Sequence, residues 1–122
     1  MTILESIRDD VAVLALEGRL DTPGAPELES HVAGLFAAGR SRIVLDFTAV
    51  KFVSSIGLRV IIASAKRAAA AGGVLILAAA PPMVNDVFEI ANIGRILSIH
   101  AGVDAAVAEA ARQPAVPHPR QG

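Results

Sequence analysis

Short runs of branched apolar residues alternate along this chain with longer segments that repeat apolar residues at helical spacing. The runs at residues 42–47 and 74–78 are almost continuously apolar, as strands are when helices cover both faces of a parallel sheet. The segments between the runs carry apolar residues three and four positions apart, which predicts amphipathic helices. This alternation predicts a mostly parallel sheet whose strands are joined by right-handed helical crossovers.

The beginning of the chain departs from that alternation. Residues 3–8 and 11–17 are both rich in β-forming residues, and Asp9 and Asp10 between them indicate a turn, so we predict an antiparallel hairpin. Residues 18–24 contain several strand breakers and are predicted to form a loop. Further strands are predicted at residues 42–47, 74–78 and 96–99, and helices are predicted to begin near Pro26, Ser55, Pro82 and Val103.

These elements define the expected fold class. A chain of 122 residues is long enough for one domain with its own core. We predict a single α/β domain over residues 1–112, with a four- to five-stranded, mostly parallel sheet, an antiparallel N-terminal edge strand and about four helices. Residues 113–122 contain prolines without apolar periodicity and are predicted to form a disordered tail.

The composition argues against several classes of function. The net charge is -1 and aromatic residues make up 3% of the chain, so neither a basic footprint nor a stacking surface for nucleic acid is present. The absence of cysteine excludes disulfides and thiolate metal sites. Neither a signal peptide nor an apolar run of about 18–20 residues is visible, so we expect a cytoplasmic protein without direct membrane insertion.

The sequence shows no catalytic, metal-binding or cofactor-binding pattern. Histidines 31, 100 and 118 have no ligand spacing, and neither a phosphate-binding glycine motif nor Gly-x-Ser-x-Gly occurs. Asp46 lies within a buried strand, where a carboxylate that pins local backbone is favoured over one that faces a crevice. We therefore expect no catalytic residue, no metal and no cofactor.

The serine pair Ser54 and Ser55 is the most informative local feature. It stands directly before the apolar-periodic segment 56–69, which is a signal for a helix N-cap. A hydroxyl at a helix N-terminus that follows a parallel strand faces the crevice side of the sheet, where free backbone N–H groups and the helix dipole tolerate a phosphate. The residues by themselves leave a second interpretation open, in which Ser55 is only an N-cap.

Three stretches in this order resemble the STAS domain of anti-sigma-factor antagonists. The first, residues 18–21, reads Gly-Arg-Leu-Asp. The second consists of residues 43–47 followed by Val50 and residues 52–59, and the third is residues 82–97 with Phe88 and the Asn-Ile-Gly turn at 92–94. The resemblance covers roughly residues 2–110 and implies a STAS-type α/β domain that acts as a regulator without catalysing a reaction.

The resemblance also implies partners and a site. Such a protein binds an anti-sigma factor that is also a serine kinase and thereby frees a sigma factor. The kinase phosphorylates the serine that corresponds to Ser55, which turns binding off, and a serine phosphatase restores the unmodified form. Asp21 would lie beside Ser55 and help the kinase to dock. The implied partner-binding residues are Asp21, Ser54, Ser55, Ile56, Gly57, Leu58 and Arg59.

Two departures and two alternative functions belong to this prediction. Ser54 stands where many family members have aspartate, which makes it a competing phosphoacceptor, and Ile56 stands where some have a second serine. One alternative is a stand-alone STAS regulatory subunit of a membrane transporter complex. The other is a small hydrolase or isomerase, which would need Asp21 or Asp46 as a base near Ser55.

Overall fold

The computed structural model describes residues 1–113. The predicted tail therefore lies outside the described residues, apart from Gln113. The strands are β1 (Thr2–Arg8), β2 (Val11–Leu20), β3 (Arg42–Val53), β4 (Val74–Ala78) and β5 (Ile99–His100). The helices are α1 (Gly24–Ala37), α2 (Ser55–Ala70), α3 (Pro82–Ile90) and α4 (Val103–Arg112), with a 3-10 turn at Ile93–Arg95.

The five strands form one sheet in the order β1-β2-β3-β4-β5. β1 pairs antiparallel with β2, and every other neighbouring pair is parallel. The predicted fold class, a mostly parallel sheet with an antiparallel N-terminal edge strand and helices packed against it, is thus confirmed.

Alternate residues of the central strands are buried on opposite faces of the sheet. Leu14 and Leu45 pack in a cluster with residues of α1, α2 and α3, whereas Val13 and Val44 pack in a second cluster with α4. Because side chains alternate across a strand, α4 covers one face and the other three helices cover the opposite face. This two-sided cover explains why residues 43–45 are all apolar.

Two strands run further than the sequence predicts. β2 continues through residues 18–20, which are wrongly predicted as loop, and β3 continues to Val53 instead of ending at Phe47. The register shifts twice between these strands, and Gly18 has a φ of 106°. Glycine adopts such a backbone at little cost, so it forms an irregularity within the strand rather than ending it.

The extension of β3 projects past β4, because their pairing ends at Asp46 and Ala78. α3 covers part of this extension: the Phe88 ring meets the Phe47 ring edge to face at 5.2 Å between centroids. Asp46 Oδ1 accepts hydrogen bonds from the Thr48 N–H and hydroxyl at 2.9 and 2.6 Å. The interpretation of Asp46 as a carboxylate that pins local backbone is confirmed.

The last strand differs from its prediction and is attached to α4 by polar side chains. β5 occupies Ile99–His100 rather than residues 96–99. Glu109 of α4 accepts hydrogen bonds from His100 Nε2 and, at 2.9 Å, from the Ser98 hydroxyl. The His100 hydrogen bond is the main cause of a lowered pKa of the Glu109 carboxyl, against the opposing effect of its burial.

We predict that Glu109→Gln reduces the free energy of unfolding in a pH-dependent way. Since the native pKa of Glu109 lies below its ordinary value of 4.5, its ionised form stabilises the fold above pH 4.5. That contribution is lost as the pH falls through the native pKa, so wild type and variant should converge there. Urea unfolding between pH 3 and pH 7 would measure the difference.

Asp104→Asn is the matched control for this prediction. Asp104 also lies on α4, but its ion pair with Arg8 is exposed to solvent, with the Asp104 side chain 91% accessible. Exposed ion pairs of this kind contribute about 0–1 kcal/mol. A Glu109→Gln variant as stable as wild type at pH 7 would contradict the assigned role of the Ser98, His100 and Glu109 cluster.

Candidate functional site

The candidate site lies at the sheet edge where the parallel strands β2 and β3 end together. Leu20 is paired with Val53 in the parallel register, so the next residues, Asp21 and Ser54, leave the sheet at the same edge. The backbone N–H of Ser54 donates to the Leu20 carbonyl at 2.9 Å. Helices α1 and α2 begin within a few residues of this point. Binding sites of α/β proteins often lie at this position, beyond the carboxyl ends of parallel strands.

Ser54 is the N-cap of α2. Its hydroxyl oxygen accepts from the Gly57 N–H at 3.1 Å, and its O–H donates to the Leu20 carbonyl at 3.2 Å. The side chain is half-buried, and its hydroxyl is used both as a donor and as an acceptor. The interpretation of Ser55 as the N-cap is therefore wrong, because the capping position falls one residue earlier.

Ser55 is the first residue of α2, and its side chain is exposed. Its hydroxyl has no hydrogen-bond partner among residues 1–113. The first turn of α2 contains no acidic residue, so the positive end of the helix dipole is not neutralised there. Ile56, the next residue, leaves 40% of its surface exposed beside this hydroxyl.

Gly57 allows α2 to approach β2 closely. A Cβ atom at this position would lie 2.5 Å from the Leu20 carbonyl oxygen and 2.8 Å from Leu20 Cγ. Any side chain would therefore push the start of α2 away from the end of β2. Gly57 is one of the predicted partner-binding residues, but it is buried. Its role is therefore to position its exposed neighbours.

Asp21 is half-buried and its two carboxylate oxygens have separate partners. Oδ1 accepts from the Gly24 N–H at 3.1 Å, at the start of α1, and Oδ2 accepts from Arg19 Nε at 3.3 Å. The Gly24 hydrogen bond is the main cause of a lowered pKa of Asp21. The carboxylate is thus held in place at the sheet edge and carries a negative charge at neutral pH.

Two residues of this edge are absent from the set predicted from the sequence. The Arg19 guanidinium lies 4.3 Å from the centroid of the Phe52 ring, which is itself 40% exposed. The two residues are cross-strand partners in the extended part of β2 and β3. No sequence signal could join them once residues 18–24 are taken as a loop, because the contact depends on strand pairing.

The remaining predicted residues lie on the first two turns of α2. Leu58 is half-buried and packs against the core, whereas Arg59 is exposed. The structure therefore brings Asp21, Ser54 and Ser55 to one edge and presents Ser55, Ile56 and Arg59 to solvent. Over residues 1–113, no cluster of three or more potential metal ligands occurs, and no helix is long and apolar enough to cross a membrane.

Comparison with known proteins identifies the class to which this fold and edge belong. The family model of the STAS domain matches residues 3–108, and the chain belongs to the STAS domain family.

Particular relatives bear names that agree with the sequence-based resemblance. BtrV of Bordetella bronchiseptica, named as an anti-sigma factor antagonist, is 33% identical over 100 residues, which span 82% of this chain and 86% of BtrV. The anti-sigma-F factor antagonist RsfB of Mycobacterium tuberculosis is 30% identical over 66 residues, 54% of each chain. A crystal structure of the Thermotoga maritima protein TM1081, also named as an anti-sigma factor antagonist, has a TM-score of 0.85 at 26% identity and covers 90% of this chain and 95% of its own.

We predict opposite effects for two glycine-to-alanine changes. Gly57→Ala should lower the free energy of unfolding by about 1–3 kcal/mol, because its Cβ would clash with Leu20 backbone. Gly34→Ala is the matched control on α1, where an added Cβ meets nothing within 4 Å, and should stabilise by about 0.5–1 kcal/mol. Urea denaturation of both variants measures this, and equal stabilities would contradict the close approach.

The two serines should also separate by stability. Ser54→Ala removes the cap on α2 and should cost about 1 kcal/mol. Ser55→Ala removes an exposed hydroxyl and should change the free energy of unfolding by less than about 0.5 kcal/mol. Thermal and urea unfolding would test the pair, and a Ser55→Ala variant that loses as much stability as Ser54→Ala would contradict this assignment of roles.

Proposed function

We propose that this chain is an anti-sigma factor antagonist that works by phosphorylation-controlled partner switching. It binds an anti-sigma factor that is also a serine kinase, and the sigma factor is released. The kinase phosphorylates Ser55, which ends binding, and a serine phosphatase restores it. The names of BtrV and RsfB support the partner class and a regulatory, non-catalytic role. The observation that carries the proposal is the exposed, uncommitted hydroxyl of Ser55 at the start of α2.

The competing hydroxyl, that of Ser54, is already used by the fold. A phosphate on Ser54 would replace the O–H that donates to the Leu20 carbonyl and would crowd the oxygen that caps Gly57. Its half-buried position would also place the added charge against the sheet edge. These costs favour Ser55 as the phosphoacceptor.

The added charge would act on the complex more than on this fold. Phosphorylation adds about -1.5 to -2 charges, and the N-terminus of a helix accepts such a charge well. A partner surface fitted to the small Ser55 hydroxyl and the apolar Ile56 would have to desolvate a bulky dianion. Asp21 holds a further negative charge at the same edge, which makes a second anion there less favourable for the complex.

The first experiment locates the phosphate. The chain would be incubated with ATP and an anti-sigma factor serine kinase from the same organism, and the modified residue would be mapped by mass spectrometry. We expect phosphate on Ser55 in wild type and in Ser54→Ala, and none in Ser55→Ala. Modification at Ser54, or unaltered labelling of Ser55→Ala, would overturn the assignment of the phosphoacceptor.

The second experiment measures binding to the same kinase by calorimetry. Ser55→Asp should weaken binding at least about tenfold, equivalent to about 1.4 kcal/mol, whereas Ser55→Ala should bind as wild type does. Ser30→Asp is the charge-matched control, since Ser30 is exposed on α1 away from the start of α2. A wild-type chain that does not bind the kinase would overturn the proposal and favour the transporter-subunit alternative.

A further inference from the structure

We propose that the Arg59 guanidinium forms an ion pair with the phosphate when Ser55 is phosphorylated. Modification would then also withdraw the charge of Arg59 from the partner-binding surface. The inference rests on the proposed function, because it concerns the same serine. It assigns to Arg59 two alternative contacts: the partner when Ser55 is unmodified, and the phosphate when Ser55 is modified.

The geometry of α2 places the two side chains together. Ser55 is the first helical residue, and Arg59 follows four positions later, so both lie on the same face, one turn apart. Helical Cα–Cβ bonds tilt towards the N-terminus, which directs the long Arg59 side chain back towards the turn of Ser55. Both side chains are exposed. Neither needs to leave a packed position for them to meet.

Arg59 is available for this contact, whereas Arg19 and Arg67 have partners. Arg59 forms no ion pair within the described residues 1–113. Arg19, at the same sheet edge, is held by Asp21 and by the Phe52 ring. Arg67 lies further along α2 and stacks on Phe36 at 4.8 Å. Arg59 is therefore the arginine of α2 with an uncommitted guanidinium.

The chemistry of the pair is favourable in this order along the helix. A guanidinium binds phosphate through two parallel N–H···O hydrogen bonds, which are stronger than neutral ones. An anion N-terminal to a cation at this spacing also agrees with the helix dipole. The first turn of α2 holds no carboxylate that would compete for Arg59. The unmodified serine offers Arg59 no charge, so the contact depends on modification.

Such an ion pair would change the charge of the surface that a partner contacts at the start of α2. In the unmodified chain, the exposed face at the start of α2 carries a hydroxyl, the apolar Ile56 and the positive charge of Arg59. In the modified chain, the guanidinium would be drawn onto the phosphate. An acidic group of the partner would then lose its contact at the same time as its surface meets the dianion.

The test uses the full chain with phosphoserine incorporated at position 55 during translation, so no kinase is needed. A 31P NMR titration measures the second pKa of the phosphate, which is about 6 for phosphoserine. We expect Arg59→Gln to raise this pKa by about 0.3 unit, and Arg59→Lys to raise it less. Lys66→Gln is the control, because it removes one positive charge from an exposed position further along α2.

Two outcomes would overturn the proposal: a phosphate pKa that is the same in Arg59→Gln and wild type, or an equal rise in Lys66→Gln. The 15N-resolved Nε–H signal of Arg59 gives a second readout, and it should shift between the unmodified and the modified chain. The result is separable from the proposed function. If the kinase does not modify Ser55, the phosphorylation mechanism fails while the contact remains measurable in the translated phosphoprotein.

Discussion

The carbonyl of Leu20 is the point at which the sheet, the start of α2 and the candidate site meet. It accepts one hydrogen bond from the Ser54 N–H and another from the Ser54 hydroxyl, and Gly57 packs directly against it. β2 must run on past Gly18 to bring this carbonyl to the end of β3. The helix that carries Ser55 is thereby attached to the neighbouring strand as well as to its own.

Because of this attachment, the two adjacent serine hydroxyls have different environments. The Ser54 hydroxyl is consumed by the cap and by the Leu20 carbonyl, and a helix start without it would leave the Gly57 N–H without a partner. Ser55 follows one residue later, where the backbone turns into the helix and the side chain faces solvent. A chemical change at Ser55 can therefore alter a surface while the core stays as it is, which suits the proposed partner switch.

The charged side chains at this edge also differ in whether they have partners within the fold. Asp21 is fixed by Gly24 and Arg19, so the negative charge at the edge has a defined place. Arg19 is in turn fixed against Phe52. Arg59 is exposed one helical turn after Ser55 and forms no ion pair within residues 1–113, which leaves its guanidinium available for the proposed contact.

Local signals in the sequence were sufficient for the fold class, for most elements and for the start of α2 at the serine pair. Alternating strand and helix periods, the Asp9-Asp10 turn and the capping pattern before residue 56 each depend on neighbours a few positions away, and the motif around residues 52–59 identified the family. Three features depended on tertiary structure: the continuation of β2 through Gly18, the choice of Ser54 as the cap, and the stacking of Arg19 on Phe52. Each of them requires either a contact partner more than 30 positions away or the exact residue at which a helix starts. The pairing of Leu20 with Val53 fixes both, because it sets the register of β2 and β3 and thereby the residue at which α2 leaves the sheet. The local sequence pattern does not determine that register, since α1 lies between the two strands.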